Sequence, residues 1–153
     1  MSRIYVSVVI DAAPHEVWAI VEPLERHVDW MSDAEAIRFE TPQRRGVGTR
    51  LAVDTRIGPL RTTDRLYVTE WIDGAVIGVD HVGHVTGRGR FTLDPSVDGG
   101  TLFAWEEDLD FPWFLGGSLG EIIISAAVLK PTWRRNLQRL KTLAETRRPA
   151  GAG

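Results

Sequence analysis

Two side chains of this 153-residue chain stand where acid–base chemistry could be done, Glu107 and His81. From Thr101 to Asp110 the sequence alternates, so Phe103, Trp105, Glu107, Leu109 and Phe111 share one face of a strand. That face is the apolar one, and Glu107 is its only carboxylate. A carboxylate in such a row must be paired, protonated or next to water in a cavity. An inward arginine would make it structural; desolvation between Trp105 and Leu109 would raise its pKa toward the range of a general acid or base.

His81 follows from a second pattern. Asp73-Gly74 predicts a two-residue type I′ hairpin turn, with Ile72 opposite Ala75. The register then sets Glu70 opposite Ile77, Val68 opposite Val79 and Leu66 opposite His81. Paired residues share a face, and Glu70 and His81 are its polar exceptions. A one-residue bulge would send them to the other face. The competing structural reading makes His81 a satisfied core or rim histidine and Glu70 a solvated edge residue.

Other chemistries find no support. The chain has no cysteine, so disulfides, thiolate metal sites and cysteine nucleophiles are excluded. His81 and His84 are three apart on a strand and point to opposite faces, and His15 and His27 have no metal-ligand spacing. Gly46-Val47-Gly48 lacks the lysine and helix of a phosphate loop, Gly87-Arg88-Gly89-Arg90 reads as a strand feature, and Gly116-Gly117-Ser118 holds no nucleophile elbow. No metal and no cofactor are expected. The net charge of −3 argues against nucleic acid as a partner. The basic residues from Arg134 to Lys141 read as a solvated helix face. The longest apolar stretch, 122–129, is too short to span a bilayer, and no signal peptide is apparent; a cysteine-free chain fits a cytosolic or a secreted protein alike, and a cytoplasmic location is the expectation adopted.

The elements that must carry these residues are legible from periodicity. Residues 4–10 read as a strand, Pro14 as the first position of a helix, and Glu16 as its dipole-matched first turn, with Val17, Ile20, Val21 and Leu24 at helical spacing. A short helical turn over 24–30 follows. Strands are then predicted near 36–40, 49–57, 60–72, 75–82, 84–93 and 101–110. The last element is one long helix over 119–145, N-capped by Ser118 and kinked at Pro131. This is one α+β domain over residues 1–146, an antiparallel sheet with helices on one side, followed by a disordered tail at 147–153.

Several local motifs resemble the START/Bet v 1-like superfamily, and more narrowly the bacterial polyketide cyclase/dehydrase-like proteins. They are Ile10-Asp11-Ala12-Ala13-Pro14-His15-Glu16-Val17-Trp18, Val28-Asp29-Trp30-Met31, Arg45-Gly46-Val47-Gly48-Thr49, Val68-Thr69-Glu70-Trp71 and Lys130-Pro131, and the resemblance covers residues 3–146. It implies a helix-grip fold, a seven-stranded antiparallel sheet wrapped around a long C-terminal helix, with a ligand cavity between them. Members bind lipids, sterols, polyketides or hormones, and only some are catalysts. The expected wall comprises Trp30, Leu66, Val68, Glu70, Val79, Phe103, Trp105, Trp113, Ile123 and Ala127, with Trp113 ranked first among the tryptophans because its loop would border the cavity mouth. Three readings follow: a binder of a small hydrophobic molecule; a cyclase or dehydratase in which Glu107 or His81 moves a proton; and an interaction module docking through its basic last helix. A monomer or homodimer is expected.

Overall fold

The computed structural model describes residues 2–111, 120 and 124–147. In β1 (Ser2–Ile10) strict alternation buries Ile4, Val6, Val8 and Ile10 and leaves Arg3, Tyr5, Ser7 and Val9 outside. Pro14 begins α1 (Pro14–Val21), where it needs no N–H partner, and Val17, Trp18, Ile20 and Val21 form the buried stripe. A 3₁₀ turn over Leu24–Asp29 completes the crossing to the sheet. Six strands follow: β2 (Ala34–Phe39), β3 (Arg50–Ile57), β4 (Leu60–Ile72), β5 (Val76–Val82), β6 (Thr86–Pro95) and β7 (Thr101–Asp110). They form one seven-stranded antiparallel sheet in the order β1-β7-β6-β5-β4-β3-β2. The sheet is thus a meander closed at one edge by the first strand.

The final helix, α2 (Lys130–Thr146), packs on β1 and buries Trp133, Leu137, Leu140 and Ala144. Asn136 is fully buried on the same face. Its Oδ1 accepts from the Ser32 backbone N–H at 3.0 Å and the Ser32 hydroxyl at 2.8 Å. Its Nδ2 donates to Asp33 Oδ1 at 2.7 Å. One polar side chain therefore pins the helix to the segment leading into β2.

Two expectations are corrected here. The long C-terminal helix is present but not α-helical throughout: a π-helical turn, Ser125–Leu129, runs into α2, with Pro131 in the first turn of the α-helical part. Proline has no N–H to give the ladder, so the change of helix type falls where a bond is missing anyway. Thr132 Oγ1 donates to the Val128 carbonyl at 2.7 Å just beyond it. The predicted helix start at residue 119, the Ser118 cap and the tail from residue 148 lie outside the described residues.

The second correction concerns the hairpin. Asp73 has a negative φ and Gly74 alone is left-handed, at φ 80°. Ala75 N–H donates to the Ile72 carbonyl at 2.9 Å. This is the type II pattern, not type I′. Ile72 faces Val76, one residue beyond the prediction, and a bulge between Val68 and Glu70 restores the expected pairs Val68–Val79 and Leu66–His81. The bulge exchanges faces beyond it. Trp71 turns inward opposite Ile77, while Glu70 turns outward opposite Gly78 and bonds Arg90 at 2.8 Å.

Candidate ligand cavity and its polar pole

A cavity of about 350 Å³ lies between the inner face of the sheet and the helical segment from Ile124 to Trp133. Alternation along the strands builds its wall. Leu51, Val53, Thr55 and Ile57 point in from β3, and Thr62, Asp64 and Leu66 from β4. Ile77, Val79 and His81 point in from β5, and Trp105, Glu107 and Leu109 from β7. Most of this wall is apolar. The sheet's polar contributions are Thr55, Thr62, Asp64, His81, Glu107 and Arg90; Arg90 is drawn to Glu70, whereas the Asp64, His81 and Glu107 charges act on one another and form one pole.

His81 and Glu107 are two strands apart, with β6 between them. Adjacent strands lie about 4.8 Å apart, so the two backbones are separated by about 10 Å. Side chains on β6 would normally fill that gap. Here the inner-face residues of β6 are Gly87, opposite His81, and Gly89, opposite Glu107. Through this opening His81 Nε2 reaches Glu107 Oε2 at 2.7 Å. Trp105 Nε1 donates to the other oxygen, Oε1, at 2.9 Å. Backbone contact requires glycine at residue 87, and the position of the Glu107 carboxylate requires it at residue 89. A Cβ on Gly89 would lie 2.6 Å from each Glu107 oxygen, and one on Gly87, where φ is +134°, would lie 1.9 Å from the Asp108 carbonyl oxygen.

The electrostatics follow from this packing. Burial works to lower the His81 pKa, but the Glu107 carboxylate in contact, with Asp64 and Asp80 beyond it, outweighs burial and raises it above 6.5. His81 Nε2 and Trp105 Nε1 together occupy both Glu107 oxygens. The expected arginine partner is replaced by a histidine and an indole. Asp64 differs. Burial pushes its carboxyl above the usual range against the opposing Thr55 hydroxyl, which donates at 3.1 Å. Elsewhere on the cavity wall, burial lowers His27 to about 4, and its Nε2 donates to the Val21 carbonyl at 2.7 Å.

The expected site residues divide clearly. Leu66, Val79, Trp105, His81 and Glu107 line the cavity together. Val68, Trp30 and Phe103 lie behind the wall and do not line it. Trp30 and Phe103 belong to an aromatic cluster with His27, Phe91 and Trp105, ring centroids 5.2 to 6.2 Å apart. Glu70 is on the outer face, displaced by the bulge. Ala127 is exposed on the π-helical turn and borders a second groove with Arg56 and Arg135. Trp113 and Ile123 lie outside the described residues. Sequence reasoning missed Asp64, Thr62 and Trp133; Trp133 stacks on Trp105 at 4.5 Å and 17° and joins helix to sheet at the cavity wall. Asp64 was detectable, because it is two residues before Leu66 on a face already read as inward.

No group of three or more histidine or acidic side chains among the described residues is arranged to hold a metal ion. No helix among them is long and apolar enough to cross a membrane.

The sequence matches the family described as polyketide cyclase / dehydrase and lipid transport over residues 1–145. No curated protein matches it. Solved structures of similar fold include the Zhui aromatase/cyclase from Streptomyces sp. R1128, with a TM-score of 0.74, 14% identity, and 99% of this chain and 98% of that one covered. A START superfamily protein from Mycobacterium smegmatis superposes with a TM-score of 0.76 at 16% identity, covering 94% and 97%. The Aha1 dimer from Colwellia psychrerythraea gives 0.66 at 18% identity over the full length of both chains. At these identities the likeness is one of fold.

Proposed function

Because this chain belongs to the polyketide cyclase / dehydrase and lipid transport family, we propose that it binds a small, largely apolar molecule between the sheet and the C-terminal helix. The observation that carries this reading is the cavity of about 350 Å³, whose wall is mainly aliphatic and aromatic, with Asp64, His81 and Glu107 gathered at one pole. Ligand sites characteristically combine an apolar wall with a few convergent polar groups. The apolar body would lie against Leu66, Val79 and Trp105, and its polar end at the pole. Trp113 and Ile123 complete the proposed contact set from the sequence, and Trp113→Ala should weaken binding by about 1–3 kcal/mol.

Mass spectrometry of small molecules that copurify with the native protein tests this reading. An apolar compound released on denaturation, and absent from a Val79→Phe variant that fills the cavity, is the expected result. Equal recovery from both proteins would place the compound elsewhere.

A second reading rests on the buried His81–Glu107 pair at the cavity wall. An enzyme of the cyclase or dehydratase type would hold a folded substrate there and move a proton at an enolisable carbon. In that case Glu107→Gln should retain ligand affinity and lose roughly 10²–10⁴-fold in turnover. A loss of melting temperature with no change in turnover would make the pair structural.

A further inference from the structure

The pole carries a charge asymmetry that bears on which ligand the cavity takes. Facing it are the carboxylates of Asp64 and Glu107, with Asp33 acting on Asp64 from nearby. The cation in contact with this group is His81, already committed to Glu107 at 2.7 Å. Among the described lining residues Arg90 alone is an arginine or lysine, and its guanidinium is held on the outer face by Glu70. Asp33 accepts from Asn136. Asp64 has the Thr55 hydroxyl as its hydrogen-bond donor, with no basic side chain in contact among the described residues. Glu107 thus has donors on both oxygens, whereas Asp64 has spare acceptor capacity beside an enclosed apolar volume.

We infer that the cavity selects an apolar ligand bearing a basic amine head, seated on Asp64 with the Thr62 hydroxyl beside it, and disfavours apolar carboxylic acids. The inference rests on reading the cavity as a ligand site, and deepens it. An ammonium group offers Asp64 charged donors beyond the Thr55 hydroxyl and offsets the desolvation of its carboxylate. A ligand carboxylate would meet two carboxylates with one shared cation, and only neutral donors such as the Thr62 hydroxyl and the Trp133 indole N–H to offset the repulsion. A neutral alcohol would bond Asp64 without the charge term.

Three probes on one skeleton test this: 2-naphthylmethylamine, 2-naphthalenemethanol and 2-naphthoate, titrated calorimetrically into the intact protein near neutral pH. The amine should bind about tenfold more tightly than the alcohol, and the carboxylate more weakly than either. In Asp64→Asn the amine should fall to the affinity of the alcohol, with the alcohol unchanged. Should that variant not fold, the side-chain carboxyl carbon of Asp64 in the wild-type protein, followed by NMR, should shift with the amine and not with the alcohol. An amine no tighter than the alcohol, a carboxylate as tight as the amine, an amine preference that survives Asp64→Asn, or an unmoved Asp64 carbon overturns the inference and leaves the cavity reading intact. Failure of all three probes to bind overturns both.

Discussion

Gly89 lies directly opposite Glu107 in the β6–β7 register, and the carboxylate occupies the space a side chain at residue 89 would take. The acid is therefore positioned by an absence. In Gly89→Ala the new Cβ would press on both carboxylate oxygens, and the His81 bond is broken as Glu107 moves away. Overpacking of this kind costs about 1–3 kcal/mol. The expected result is a lower unfolding midpoint together with a His81 ring titration, read by NMR, that falls back toward 6.5. An unmoved titration would mean the pair survives.

The pair also sets a pH dependence. The folded state holds the His81 proton more tightly than the unfolded state, whose pKa is near 6.5. Its stabilisation is complete below pH 6.5 and is lost as pH rises through the folded pKa. Urea unfolding of the wild type should therefore show stability declining on the alkaline side, and Glu107→Gln should flatten that decline. Parallel profiles in the two proteins would refute the coupling.

His27 predicts the opposite slope. Its folded pKa is depressed to about 4, first by burial, so the unfolded chain takes up a proton that the folded chain refuses. Stability should fall as pH drops from 6.5 toward 4, by about 3 kcal/mol in all. His27→Gln keeps a donor for the Val21 carbonyl and removes the titration. Contributions shared by both proteins, Asp64 among them, cancel in the difference between their acid profiles. A difference near zero would contradict the buried neutral assignment.

Polar side chains on the two sides of the sheet should differ sharply. Asn136→Ala removes a fully buried side chain and its three hydrogen bonds to Ser32 and Asp33, and should cost about 1–3 kcal/mol by chemical denaturation. Glu70→Gln breaks a bond to Arg90 between side chains 41% and 50% exposed, and should change stability by less than about 1 kcal/mol. Comparable losses in the two variants would argue against the corrected placement of Glu70.

Local pattern carried the order of elements and the inward alternation of β7, because one face of each strand is buried and the period of two is strict. It failed where one residue changes the count. The bulge before Glu70 leaves no mark in composition, so a register drawn from the turn alone put Glu70 inside. The meeting of His81 with Glu107 was hidden for another reason. It depends on a strand between them, and the glycines at 87 and 89 become informative only once β6 is known to separate β5 from β7. Asn136 was likewise obscure, since its partners are more than 100 residues away.

The central claim is that the space between sheet and helix accepts an apolar molecule, and ligand-induced NMR shifts measure it most directly. On titration with 2-naphthalenemethanol, a neutral probe, the methyl groups of Leu51, Ile77, Val79 and Leu109 and the indole of Trp133 should shift and saturate together. The exposed methyl groups of Val9, Val47 and Val97 should stay still. Saturable shifts confined to those three surface valines, or none at the cavity residues, would contradict the account.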